Sequence, residues 1–225
     1  KIENLTIVKQ WQGISYYKKQ FKADEEWKNK KVYVEFEGAM HLADVWINGD
    51  HVKQHAGGYT PFVIDLSDHL TFDGTNEIMV RLDNRNNELI PPGKPVENLD
   101  FLYYGGIYRD VNLIVKNKVH ITHPILANEV AGGGVFVTYP EVSQEKAIVA
   151  VKTHVRNELK ELADIRVRQR IIRINGLFQD RELGDQVAVS EISKELLPDA
   201  AIHAYQFIDL EEPMLWSPDA PYLYL

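Results

Sequence analysis

An all-β chain built as two consecutive β-sandwiches is what this sequence predicts, and three observations predict it. Apolar residues recur at every second position over short runs, Asn-Gly and Asp-Gly turn signals punctuate those runs, and helical periodicity is nearly missing. Size agrees: 225 residues exceed one ordinary sandwich and suit two domains of about 100 to 120 residues each. With 44% hydrophobic residues the chain can bury two cores.

Taken in order, Val32, Val34 and Phe36 alternate with Lys31, Tyr33, Glu35 and Glu37. Side chains at i and i+2 share a face of an extended strand, so such a run predicts a half-buried antiparallel strand. Asn48-Gly49 predicts a two-residue hairpin, because both positions tolerate positive φ. Ile78, Val80 and Leu82 form the next alternating run, and Val111, Leu113 and Val115 another. Beyond these, Val149, Val151, Thr153 and Val155 alternate, and Ile165, Val167, Gln169 and Ile171 face away from Arg166, Arg168 and Arg170. Asp73-Gly74 and Asn175-Gly176 repeat the hairpin signal. The best helix candidate is residues 190–197, ended by Pro198. The polar break Lys116-Asn117-Lys118 marks the domain boundary, giving residues 1–117 and 118–225. An irregular segment, residues 128–134, follows it with three consecutive glycines.

Residues 84–106 hold no strand pattern, and Pro91, Pro92, Gly93 and Pro95 break whatever could form. Irregular stretches that long inside a compact domain are usually functional or disordered. The aromatic run Phe101, Tyr103 and Tyr104 argues against disorder.

Composition removes several function classes. Twenty-five basic and 33 acidic residues leave a net charge of −8, which speaks against nucleic acid, whose binding needs a basic footprint. Without cysteine there is no disulfide framework, thiolate nucleophile or zinc-thiolate site. No segment has the ~20 apolar residues of a membrane span. A cysteine-free chain fits a reducing compartment and also a bacterial periplasmic or secreted protein, the compartment favoured here over the cytoplasm.

Several stretches resemble the family 2 glycoside hydrolases, which include β-galactosidases, β-glucuronidases and β-mannosidases. GISYYKKQF at residues 13–21 looks like that family's entry strand, and FEG at 36–38 with ADVWING at 43–49 like its central hairpin. GGYTPF at 57–62 with IDL at 64–66, and GIYRDV at 106–111, resemble later strands of its first domain. LWSPDAPYLY at 215–224 resembles the last strand of its second. The resemblance implies a jelly-roll sandwich of the sugar-binding type followed by an immunoglobulin-like sandwich. It further implies a non-catalytic portion of an exo-acting retaining β-glycosidase, of the β-galactosidase type, with the catalytic barrel expected beyond Leu225 and carbohydrate met through that barrel. The first domain's opening strand or strands would be missing, leaving an edge where copies of the chain could pair into a homo-oligomer. A free-standing carbohydrate-binding module and an adhesive immunoglobulin-like protein are the competing readings.

The candidate site follows from the same weighing. Retaining glycosidases need two carboxyl groups about 5–5.5 Å apart. Glu35 and Glu37 are instead expected on a solvated strand face, and Asp24, Glu25 and Glu26 in a solvated turn, so no catalytic pair is expected in this chain. His120 and His123 are three apart on a predicted strand and would point to opposite faces, so no metal set is expected either. Trp46 is expected to pack structurally, Trp216 to plug the second sandwich, and Arg109 with Asp110 to form a polar network holding the long loop. Asp100 is the substrate-binding candidate. It sits six residues before Gly106-Ile107, where the resemblance implies an aspartate touching substrate, with Phe101, Tyr103 and Tyr104 as loop neighbours. No cofactor is expected in the chain itself, and a bound cation near Asp100 only in the parent enzyme.

Overall fold

The computed structural model describes residues 11–99, 101, 103–176 and 181–225, and the chain forms two compact units, Lys1–Asn117 and Lys118–Leu225. The first is a jelly-roll sandwich with nine strands among the described residues: β1 (Ile14–Phe21), β2 (Lys30–Phe36), β3 (Ala39–Met40), β4 (Leu42–Ile47), β5 (Asp50–Ala56), β6 (Phe62–Asp65), β7 (Asn76–Asp83), β8 (Gly106–Ile107) and β9 (Val111–Asn117). One antiparallel sheet has the order β1-β7-β4-β5, the other β6-β2-β9, and β3 pairs with β8. Val34, Phe36, Val45, Ile47, Phe62, Ile64, Val80 and Leu82 fill the space between the sheets. Phe36 and Phe62 stack there with centroids 4.7 Å apart.

The alternation becomes strands for a simple reason: the apolar sets of β2, β4 and β7 close facing sides of a sandwich, whereas Val111 and Leu113 on β9 stay exposed. On β2 the alternation is incomplete, because Tyr33 on the opposite face is buried as well. That strand is central in its sheet, flanked by β6 and β9, and Lys31 covers the Tyr33 ring at 6.0 Å. Glu35 and Glu37 are accordingly half-buried rather than solvated, and Glu37 accepts a hydrogen bond from Asn112 Nδ2 at 3.1 Å. Asp24 does sit in an exposed turn, where it caps a short 3₁₀ helix by accepting from Glu26 N. Asn48 and Gly49 have φ of 51° and 92°, as a primed hairpin turn requires between β4 and β5. Asp73-Gly74 makes no hairpin, because β6 and β7, which it helps to connect, lie in different sheets.

The second unit is an immunoglobulin-like sandwich comprising β10 (Val119–Ile121), the single-turn helix α1 (Pro124–Ala127), β11 (Val135–Val142), β12 (Lys146–Asn157), β13 (Ala163–Asn175), β14 (Glu182–Leu196), β15 (Ala201–Glu211) and β16 (Leu223–Tyr224). In one sheet β15 pairs along β12, whose other edge takes β10 and β11 in succession; the second sheet has the order β14-β13-β16. Val151, Val155, Val167, Ile171, Leu196, Ala204 and Ile208 form its two buried apolar clusters.

Two expectations fail here. Residues 190–197 are not a helix: all but Leu197 belong to β14, with Ile192 opposite Val167 and Leu196 opposite Ala163. Pairing with the long neighbour β13 outweighs the local helix preference of Glu, Lys and Leu. Trp216 does not plug the sandwich but is 61% exposed, while Pro213 and Pro221 on either side of it are buried. The segment is held by its backbone, with Met214 N donating to Tyr224 Oη at 2.8 Å.

Candidate functional site

The long irregular segment leaves the first sandwich at the end of β7, and polar side chains anchor its root. Asn84 Oδ1 accepts from Gly13 N at 2.7 Å, and its amide donates to Trp11 O at 3.1 Å. Arg85 grips Asp83 with two bonds, Nε to Oδ1 at 2.9 Å and NH2 to Oδ2 at 2.6 Å. Paired, planar contacts of this kind are the strong form of an ion pair. Arg81 extends the row, lying 3.5 Å from Asp83 and donating to Asp44 Oδ2 at 3.0 Å. The Arg85 bonds hold the Asp83 carboxyl below its usual range. For Asp44, burial alone would raise the pKa, but hydrogen bonds from Gln54, His51 and Arg81 together hold it low.

Further along, Asn86 Oδ1 accepts from Gln12 Nε2 at 2.8 Å and from Val96 N at 3.2 Å, so the middle of the loop and the segment before β1 are tied to one amide near the loop's start. Gly93 takes a positive φ of 69°, which a proline-rich turn needs a glycine to reach. The loop returns through its aromatic residues, each with a different environment. Phe101 is half-exposed and meets Tyr59 edge-on at 6.5 Å. Tyr103 is buried and hydrogen-bonded to Nδ1 of the buried His41. Tyr104, also half-exposed, stacks on Tyr108 at 5.7 Å, and Tyr108 Oη donates to Gly58 O at 2.6 Å. Arg109 lies 5.5 Å over the Tyr108 ring, and the Asp110 side chain is exposed, so no Arg109–Asp110 network forms among the described residues. Asp100 itself, with the cation expectation attached to it, lies outside the described residues.

At the root of this loop is a polar hollow of 260 Å³ lined by His41, Leu42, Asp83, Arg85, Asn86 and Asn87. Its groups can exchange hydrogen bonds with hydroxyl-rich ligands, and Phe101 and Tyr104 offer ring faces nearby in the chain. The described lining offers this hollow a single carboxylate, where retaining hydrolysis uses a pair. That carboxylate, Asp83, is occupied by Arg85. Sequence reasoning missed His41, Asp83 and Arg85, which carry no motif. It also missed a Glu129–His154–His203 cluster in the second unit, whose members are far apart in the chain.

Tyr103 gives this region a testable pH dependence. Burial, aided by Tyr59 and Asp83, pushes its phenol up to about 12. An unfolded tyrosine ionises near about 10, so the fold favours the unionised form. That stabilisation is complete below about pH 10 and is lost as pH rises through the folded value. The melting temperature of the first unit is expected to fall over this window, and less steeply in Tyr103→Phe. Equal slopes by calorimetry would remove Tyr103 from the account.

Comparison with known proteins adds the lineage. The sequence model described as glycosyl hydrolases family 2, sugar binding domain, matches residues 3–117, and the one described as glycosyl hydrolases family 2 matches residues 134–225. A β-galactosidase of Thermoanaerobacter pseudethanolicus is 32% identical over 94% of this chain and 25% of its own length. A β-glucuronidase of Formosa agariphila is 32% identical over 96% of the chain and 21% of its own length. The crystal structure of a glycosyl hydrolase family 2 member from Bacteroides cellulosilyticus superimposes with a TM-score of 0.76 at 30% identity, covering 94% of this chain and 26% of that one. The chain thus spans about a quarter or less of the curated relatives it matches. No helix among the described residues is long and apolar enough to cross a membrane. With both family models matched in order along a jelly-roll and an immunoglobulin-like sandwich, the chain belongs to the family 2 glycosyl hydrolases.

Proposed function

We propose that this chain is the non-catalytic portion, preceding the barrel, of an exo-acting retaining β-glycosidase that removes terminal β-linked sugars, β-galactosides first among them. In that protein the first unit lends its long loop to the rim of an active site, and the second serves as spacer and packing partner. The observation that carries this is the loop of residues 84–106. It is anchored at both ends by Asn86 and Tyr103, yet presents half-exposed Phe101 and Tyr104 outward. Long irregular segments that stay ordered inside a compact domain are usually functional. Two similar proteins are named β-galactosidase and β-glucuronidase, so the sugar is the finer part of the proposal.

The full-length protein is expected to hydrolyse an aryl β-galactoside faster than the β-glucuronide and β-mannoside, with retention at the anomeric carbon. The 225-residue chain alone is expected to give no turnover above the blank. Inversion, or turnover by the isolated chain that disappears on mutating one of its carboxylates, would refute the mechanism and the division of labour respectively.

A further inference from the structure

The second unit carries a side-chain cluster that the proposed glycosidase role leaves unused. Asn128 ends α1 in the left-handed conformation, φ 51°, and Glu129 follows it. His154 on β12 and His203 on β15 are cross-strand partners, so their rings lie side by side, with centroids 4.6 Å apart at 24°. Glu129 meets both rings: Oε1 is 3.6 Å from His154 Nε2, and Oε2 is 2.8 Å from His203 Nε2. The three ligand atoms lie within 4.8 Å of one another.

An ion pair is the plain account, but its geometry is poor. His203 Nε2 is shielded from solvent and makes no aligned hydrogen bond despite the short distance to Glu129. Groups sharing a central ion look like this, since each aims its lone pair at the ion and not at its co-ligand. For tetrahedral bonds of about 2.1 Å the ligand atoms stand about 3.4 Å apart, and one ligand atom from each of the three residues lies within 4.8 Å of the others.

His154 has the supporting contact that a ligating imidazole needs. Its Nδ1 lies 3.0 Å from Thr122 Oγ1, an oxygen that also accepts from Gly134 N at 3.0 Å and is placed to donate to His154 O at 3.5 Å. With the hydroxyl proton on that carbonyl, Thr122 accepts from Nδ1–H, and the Nε2 lone pair is left facing Glu129. Gly132 keeps one side of the cluster open. A Cβ there would stand 3.2 Å from Glu129 Oε2 and 3.4 Å from His203 Nε2. Lys152 borders the same spot, but its ammonium donates to Ala131 O at 3.2 Å.

We propose that Glu129, His154 and His203 form a binding site for a divalent first-row transition ion, best suited to Zn²⁺, that clamps the segment between α1 and β11 onto β12 and β15. Two imidazole nitrogens and one carboxylate oxygen suit zinc better than calcium or magnesium, which take all-oxygen sets, and leave a fourth position for water. The site is independent of the glycosidase proposal, as it uses no residue of the first unit.

Equilibrium dialysis of the purified protein against Zn²⁺ should retain one ion per chain. His203→Ala and Glu129→Gln should each weaken binding at least tenfold while leaving the far-ultraviolet circular dichroism unchanged. Co²⁺ should give a tetrahedral ligand-field spectrum that both substitutions abolish. Zinc should also raise the melting temperature of the second unit in the wild type and not in His203→Ala. Retention of no zinc, or zinc binding unaffected by either substitution, would overturn the proposal and leave an ordinary histidine–glutamate ion pair.

Discussion

Replacing Asp100 with alanine or asparagine in the full-length protein is expected to slow glycoside hydrolysis roughly tenfold to a hundredfold, with little change in melting temperature. The estimate follows from the chemistry of a carboxylate among sugar hydroxyls. Hydrogen bonds to a charged acceptor contribute about 1.5–3 kcal/mol, and about 1.4 kcal/mol is a factor of ten in rate. If those bonds strengthen as the sugar ring flattens toward the transition state, the loss falls on kcat as well as on KM. The expectation rests on the family resemblance and on chain order alone: in the sequence Asp100 follows the 3₁₀ turn Val96–Asn98 and precedes Tyr103, which is bonded to His41. Wild-type kinetics in Asp100→Ala would return this residue to the role of an ordinary turn former.

The largest loss of stability is expected from Asn157→Ala, which should lower the melting temperature of the second unit by about 10 °C or more. Asn157, at the end of β12, is completely buried. Its amide donates to Glu161 O at 2.9 Å, Leu196 O at 3.0 Å and Leu197 O at 3.2 Å, and its Oδ1 accepts from Leu159 N at 2.8 Å. One side chain thus closes the β12–β13 turn and ties it to the end of β14. Truncation leaves these backbone groups without partners, at a cost of about 1–3 kcal/mol for each one that water cannot reach. A total of about 3 kcal/mol corresponds to the stated shift for a domain near 100 residues. Scanning calorimetry in which the mutant melts at the wild-type temperature would mean that water replaces the amide without penalty.

How much of this was legible in the chain depends on the range of the interaction concerned. The alternating runs at 31–37, 78–82, 111–115, 149–155 and 165–171 all became strands, since alternation of side chains is a property of the extended backbone itself. The Asn48-Gly49 turn was legible for the same local reason. Residues 190–197 were misread because their helical preference is local, while the strand they form depends on β13, a partner more than twenty residues away. Trp216 was misplaced because burial is decided by which segment closes the sandwich, and there two prolines go in and the indole stays out.

The candidate sites divide along the same line. Sequence by itself determined an all-β chain, the long proline-broken loop with its aromatic run, and a family resemblance carried by ordered short motifs. It could not determine that Tyr103 would seal against His41 while Phe101 and Tyr104 stay outward, nor that Asp83 would be taken up by Arg85. Only the tertiary structure made Asn157 a buried clasp, through carbonyls 39 and 40 residues away, and brought Glu129 to a histidine pair on neighbouring strands. His154 and His203 meet because the register of β12 against β15 sets them opposite each other. That register is a cooperative property of two whole strands packing their apolar faces into one core, and no spacing between two histidines encodes it.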